Sequence, residues 1–259
     1  MHTSTFRGTS PWIAGRRLSP SARLRLFCFP YAGVGVSAYR SWMSASGPDL
    51  EICPVQLPGR ETRHDEAPFQ RMDVLAEATV EGLRPYLDVP FAFFGHSLGA
   101  LVAYEVARRL GSEPLLRRLF VSARRAPHLK EPQPPVAHLP NGAFVATVQQ
   151  RYGGIPAAVL ECSDLMELLI PRMRADFEVL ESYVHRPGPP LSCGISVFGG
   201  DADSIDEPAL RQWEAHTHAP IQLRTVSAGH LYLESRRAEL LDAIARDLAF
   251  EPRAHEVGA

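Results

Sequence analysis

Phe91-Ala92-Phe93-Phe94-Gly95-His96-Ser97-Leu98-Gly99-Ala100 is the stretch on which the reading of this chain turns. A short, continuous apolar run meets a Gly-x-Ser-x-Gly turn, and a helical pattern over residues 98–110 starts at once behind it. Apolar runs of that length read as buried strands. A serine in a tight strand-to-helix turn projects its hydroxyl from the carboxyl edge of a sheet. The flanking glycines remove side chains that would clash there. The helix N-terminus beneath the serine favours developing negative charge. Arg108 and Arg109 in the last turn, with Gly111 as a stop, close the helix. The pattern predicts a nucleophile, Ser97, mounted on an α/β sheet.

Working outward, residues 24–30, 51–55, 119–122, 195–198 and 221–226 read as further strands, and 37–46, 71–87 and 233–249 as helices. Strands alternating with helices predict right-handed crossovers and a mostly parallel central sheet flanked by helices on both faces. The alternation breaks at 126–190. A Pro-rich segment containing Pro132, Pro134 and Pro135 is followed by helical patterns at 142–151, 161–170 and 172–185, with no strand. This predicts a helical lid inserted at 126–190 into an α/β core made of 11–125 and 191–250. Residues 1–10 and 251–259 are expected to be flexible termini.

Composition removes several function classes. A chain of 259 residues suits one α/β domain. Its 27 Lys and Arg nearly balance 29 Asp and Glu, which leaves no basic footprint for nucleic acid or for an anionic membrane. Cys28, Cys53, Cys162 and Cys193 form no C-x-x-C pair, and Cys28 and Cys53 sit in apolar runs as small core residues of a reducing compartment. No apolar run reaches membrane-spanning length, and residues 1–11 lack the apolar segment of a signal peptide. The expectation is a cytoplasmic, monomeric enzyme.

A serine hydroxyl needs a base. In folds with this turn the chain order is Ser, then Asp or Glu, then His, which directs attention to a late histidine on a loop after a strand. His230 fits, behind 221–226 and the small residues Ser227-Ala228-Gly229. His216 and His218 precede that strand and are expected to face solvent; as an H-x-H pair they lack a third metal ligand, so no metal is expected. His96 reads as a packing residue beside the serine, and His64, His128, His138 and His185 as surface residues. The acid should follow 195–198, where Asp201, Asp203, Asp206 and Glu207 all qualify. Asp206, followed by Glu207-Pro208-Ala209, resembles a helix N-cap. Local reasoning leaves Asp201 and Asp203 open. Two backbone N–H groups should hold the oxyanion: that of Leu98, and one from the loop after the first strand, at Tyr31-Ala32.

Several stretches in order make a wider match: Phe29-Pro30-Tyr31-Ala32-Gly33, Gln56-Leu57-Pro58-Gly59-Arg60-Glu61, the serine turn, Ser122-Ala123-Arg124-Arg125-Ala126-Pro127, Arg174-Ala175-Asp176-Phe177, Gly199-Gly200-Asp201-Ala202-Asp203 and Gly229-His230-Leu231-Tyr232-Leu233. Over roughly residues 11–250 the chain resembles the type II thioesterases of polyketide and nonribosomal-peptide assembly lines, which have the α/β-hydrolase fold. The resemblance selects Asp203 over Asp201 as the acid. It implies an acyl or aminoacyl thioester substrate on the phosphopantetheine arm of an acyl or peptidyl carrier protein, and no cofactor of the enzyme's own. It implies an editing role: hydrolysis frees carriers blocked by stalled groups. Two departures stand in the oxyanion loop, where Tyr31 replaces the usual His and Val34 a further Gly.

The expected mechanism has Ser97 attack the carbonyl, His230 act as base, Asp203 hold the imidazole, and the Leu98 and Ala32 amides bind the oxyanion. Arg124, Arg125 and Lys130 border the insertion as a basic turn that could meet an acidic carrier. Two alternatives share the fold: a hydrolase of small esters or acyl-CoA, and a non-catalytic binding scaffold.

Overall fold

The structure, a computed structural model, describes residues 11–13, 18, 19, 21–45 and 49–249. The termini expected to be flexible, 1–10 and 251–259, lie outside the described residues. The elements run β1 (Leu24–Phe29), α1 (Arg40–Ala45), β2 (Leu50–Pro54), α2 (Met72–Leu83), β3 (Phe91–His96), α3 (Leu98–Leu110), β4 (Leu116–Ser122), α4 (Asn141–Tyr152), α5 (Ala157–Leu160), α6 (Ser163–Glu181), β5 (Gly194–Gly200), α7 (Glu207–Arg211), β6 (Gln222–Val226) and α8 (Arg237–Ala249).

The six strands form one sheet in the order β2-β1-β3-β4-β5-β6, every pairing parallel. Alternation along the strands divides the core in two, because successive side chains point to opposite faces. Phe27, Phe29, Phe91 and Phe93 pack with α2 and α3, whereas Leu26, Cys28, Phe94 and Phe120 pack with Tyr39, Trp42 and α8. The first set interlocks edge to face, with Phe29 and Phe93 at 5.4 Å between ring centroids. All six residues of β3 are buried, as are the first ten of α3. This accounts for the unbroken apolar run in the sequence: a central parallel strand has no solvent face.

The chain leaves β1 toward β2 on one side and crosses back to β3 on the other. Strand order therefore reverses between β1 and β3. A crevice opens at the carboxyl ends of strands at such a point, and ligands of open α/β sheets bind there. Ser97 follows β3 and Ala32 follows β1, so topology alone brings both to that crevice.

The segment between β4 and β5 holds α4, α5 and α6, with a small core of its own around Phe144, Val148, Met173 and Phe177. Here the structure corrects the sequence reading. The patterns at 161–170 and 172–185 are one nineteen-residue helix, α6, that runs through Pro171. Pro171 and Glu167, whose carbonyl loses its i+4 donor, are both exposed, so water can take that carbonyl's hydrogen bond. The helix expected over 37–46 divides into a 3-10 turn, Val36–Tyr39, and α1, and the last helix opens at Arg237 instead of residue 233.

Candidate active site

Ser97 sits at φ 54° and ψ −116°, outside the regions that residues with a side chain prefer. The neighbouring glycines are required by contact. A Cβ on Gly95 would lie 2.2 Å from the Gly99 carbonyl oxygen, and one on Gly99 would lie 2.1 Å from the Phe29 carbonyl oxygen. Strand, turn and helix thus fit only without those side chains. The turn is tied down by the Ser97 N–H, which donates to the Ser122 carbonyl at 2.8 Å.

The structure brings three of the expected residues into one line. Ser97 Oγ is 3.0 Å from His230 Nε2, and His230 Nδ1 is 2.8 Å from Asp203 Oδ2. The His230 and Asp203 side chains are 7% and 3% exposed. A carboxylate at Nδ1 fixes the proton there and leaves the Nε2 lone pair facing the serine hydroxyl. Asp201 is placed otherwise: it is exposed, and its carboxylate accepts from the Ala228 N–H at 3.0 Å. Asp206 caps α7, accepting from the Ala209 N–H at 3.1 Å. Leu98 opens α3, where an N–H has no intrahelical acceptor. Ala32 lies across the crevice, and the Gly33 N–H beside it is committed to Asp176 Oδ2 at 2.7 Å.

That last bond belongs to an arrangement that sequence reasoning missed. Asp176 comes from α6, and Arg60 grips it with two bonds of 3.0 and 2.7 Å. Arg60 also donates to the Val34 carbonyl at 2.9 Å. A buried ion pair between α6 and the 56–61 segment therefore holds the loop of Ala32 at two points. The stretches containing Arg60 and Asp176 were visible, but 116 residues separate the two in the chain.

His96 is fully buried. Its Nε2 donates to the His230 carbonyl at 2.9 Å, and its Nδ1 lies 3.0 Å from Ser122 Oγ, which lies 2.7 Å from the Tyr232 hydroxyl. Burial, reinforced by nearby His230, pushes the His96 pKa well below the usual imidazole value and keeps the ring neutral. His96 packs beside the serine as expected, and it also anchors the backbone of the His230 loop.

His216, expected to face solvent, is buried at 6% exposure. The Tyr104 hydroxyl is 2.8 Å from its Nδ1, and His128 Nδ1 is 2.7 Å from its Nε2. Burial first, then His128 and His185, push the His216 pKa down to about 4. The surface pattern around H-x-H gave no sign of this, because much of the burial comes from the Tyr104, His128 and His185 rings, which are distant in the chain. Among the described residues no group of three or more His, Cys, Asp or Glu side chains is arranged to hold a metal ion.

Ser97 and His230 open into a cavity of about 430 Å³ between the sheet edge and the inserted helices. Its wall is largely apolar, with Val148, Leu169, Met173 and Phe177 from the insertion and Tyr31 and Val34 from the loop after β1. The Tyr152 ring leans over His230 at 5.0 Å, and Tyr31 meets His96 edge to face at 5.7 Å. Arg124 and Arg125, expected on an outer basic turn, are half-buried in this wall and reach Glu131 at 2.5 and 3.9 Å; Lys130 is exposed. A second cavity, of about 630 Å³ and lined by Glu105, Arg108 and Tyr183, contains none of these groups. No helix among the described residues is long and apolar enough to cross a membrane.

Comparison with known proteins places the whole chain rather than the individual residues. The family model described as "Thioesterase domain" matches residues 24–248. The chain is 34% identical to the gramicidin S biosynthesis protein GrsT of Aneurinibacillus migulanus over 240 residues, 92% of this chain and 93% of that one. Among solved structures it is similar to the type II thioesterase BorB from the borrelidin biosynthetic cluster, with a TM-score of 0.83, 34% identity, and coverage of 94% of this chain and 100% of that one. It is also similar to the thioesterase RedJ of the prodiginine pathway of Streptomyces coelicolor, with a TM-score of 0.81, 35% identity, and coverage of 90% and 92%. The parallel sheet with flanking helices is that of the α/β-hydrolase fold.

Proposed function

This chain belongs to the thioesterase domain family and is a thioester hydrolase, and from that premise we propose that it removes acyl or aminoacyl groups from the phosphopantetheine arm of acyl or peptidyl carrier proteins. The type II thioesterase of a polyketide or nonribosomal-peptide pathway is the branch it falls in. Clearance of stalled or aberrant groups from the assembly line is the role proposed for it. The observation that carries the reading is the Ser97–His230–Asp203 line at the floor of an apolar cavity roofed by inserted helices. The inserted segment, 126–190, acts as a lid over an acyl group.

In the proposed mechanism Ser97 Oγ attacks the thioester carbonyl carbon while His230 Nε2 takes its proton. Asp203 holds the imidazole and stabilises the imidazolium. The Leu98 and Ala32 N–H groups receive the oxyanion; backbone donors suffice, so Tyr31 and Val34 shape the entrance and leave the chemistry intact. The thiol leaves with the proton from His230. Water, deprotonated in turn by His230, then splits the acyl-enzyme. Thiolate is a better leaving group than an amine, so protonating it matters less than it does for a peptide bond.

The test is a comparison of kcat/KM on acyl-carrier thioesters, acyl-N-acetylcysteamine thioesters and simple esters of the same acyl group. The carrier thioester is expected to be turned over best. Equal or better rates on simple esters refute the carrier reading.

A further inference from the structure

We propose that Arg172 forms an anion subsite in the Ser97 cavity, taking a carboxylate or a phosphate carried by the thioester substrate. The inference rests on the reading of this cavity as the site for carrier-borne acyl groups and narrows its substrates.

The charges on the cavity wall do not balance. Three guanidinium groups line it, Arg124, Arg125 and Arg172, against a single carboxylate, Glu131. Glu131 is 2.5 Å from Arg124 and 3.9 Å from Arg125, and Arg125 also donates to the Lys130 carbonyl at 3.1 Å. Arg172 has no such partner. Among the described residues it makes no ion pair or hydrogen bond, and its Nε is buried with nothing to donate to. The nearby acids are already engaged: Asp176 by Arg60 and the Gly33 N–H, and Glu61 by the Ser37 N–H at 3.0 Å. Burial first, and then the like charge of Arg60, act against the charged form of Arg172; the charges of Asp176 and Glu61 act for it, with no hydrogen bond to either.

A guanidinium cannot shed its proton to escape this, so it remains a partly desolvated cation with unused donors. Its planar fork matches a carboxylate or a phosphate with two parallel bonds. Arg172 lines the same cavity as Ser97, His230 and Gly33, so the subsite shares the space proposed for the reacting thioester. Two parts of a carrier-borne substrate present the fitting group: a free carboxylate on the acyl chain, and the phosphate at the head of the pantetheine arm.

The experiment uses four thioesters with wild-type enzyme and Arg172→Gln: a neutral acyl group on N-acetylcysteamine, the half-acid acyl group of the same length on N-acetylcysteamine, and the neutral acyl group on pantetheine and on phosphopantetheine. The readout is the ratio of kcat/KM for each charged substrate to its uncharged counterpart. Arg172→Gln is expected to lower one of the two ratios about tenfold or more, and Arg172→Lys to restore part of it. A fall in the half-acid ratio assigns the acyl carboxylate; a fall in the phosphopantetheine ratio assigns the arm. Ratios that match the wild type on both pairs overturn the subsite. The carrier reading is judged separately, by whether wild-type enzyme prefers acyl-carrier to simple esters.

Discussion

The turn that ends β3 and the helix α6 both border the same cavity, and the two elements are held in opposite ways. Every residue of β3 is buried, and the strand pairs with β1 on one side and β4 on the other. α6 lies over the cavity with Leu168 73% exposed and Leu165 48% exposed, and it is pinned to the loop after β1 by Asp176. β3 delivers the serine turn; α6 delivers Arg172, Met173, Asp176 and Phe177. The difference teaches where each kind of information sits. In the proposed mechanism the attacking serine hangs from a central strand buried on every residue, and the residues proposed to meet the acyl chain hang from a helix that keeps one face in solvent.

The sharpest way to break this division is Ser97→Ala. Turnover of acyl thioesters should fall by about four orders of magnitude or more while the circular dichroism spectrum is kept; wild-type turnover would refute the serine's role. Next, Asp203→Asn should cost about 10⁴-fold in kcat and Asp201→Asn only a few-fold, since Asp201 faces Ala228; the reverse ranking in steady-state assays would reassign the acid. In the core, Phe93→Ala should lower unfolding free energy by about 3–5 kcal/mol in denaturant melts, whereas Leu168→Ala on α6 should stay within about 0.5 kcal/mol. Asp176→Asn crosses the divide. It keeps the shape but removes the charge that holds the loop after β1, which carries the proposed second oxyanion donor, so kcat is expected to fall roughly ten- to hundredfold, less than loss of an oxyanion donor outright, with KM changed less. The smallest effect concerns pH. The His216 value is pushed below the imidazole norm, so its neutral form stabilises the fold fully above about pH 6.5, and that contribution is lost as pH falls toward about 4. His216→Gln should reduce the acid-side drop in Tm by roughly 2–4 °C.

The same division explains what was legible in the sequence. β3, the serine turn and α3 are contiguous, and their burial imposes an unbroken apolar run that one chain segment displays by itself. The late position of His230 follows from chain order. The choice between Asp201 and Asp203 does not, because both lie on one loop. What separates them is backbone pairing across β5 and β6: the Asp201 N–H donates to the Val226 carbonyl, which turns its carboxylate toward Ala228. The clamp of Asp176 on Gly33 spans 143 residues and has no local signature. Pro171 misled the reading of α6 because a proline is costly in a helix interior, and only the exposure of that face makes it tolerable here.

The backbone at Ser97 carries a last consequence, one for evolution. A residue with a side chain held at positive φ spends stability on geometry, here geometry that the proposed reaction uses. Glycine at position 97 would adopt the same turn with less strain. A lineage that no longer needed the reaction would therefore gain by losing the serine while keeping the sheet. Silent descendants of this fold should carry glycine at the turn, with β3 and α3 intact.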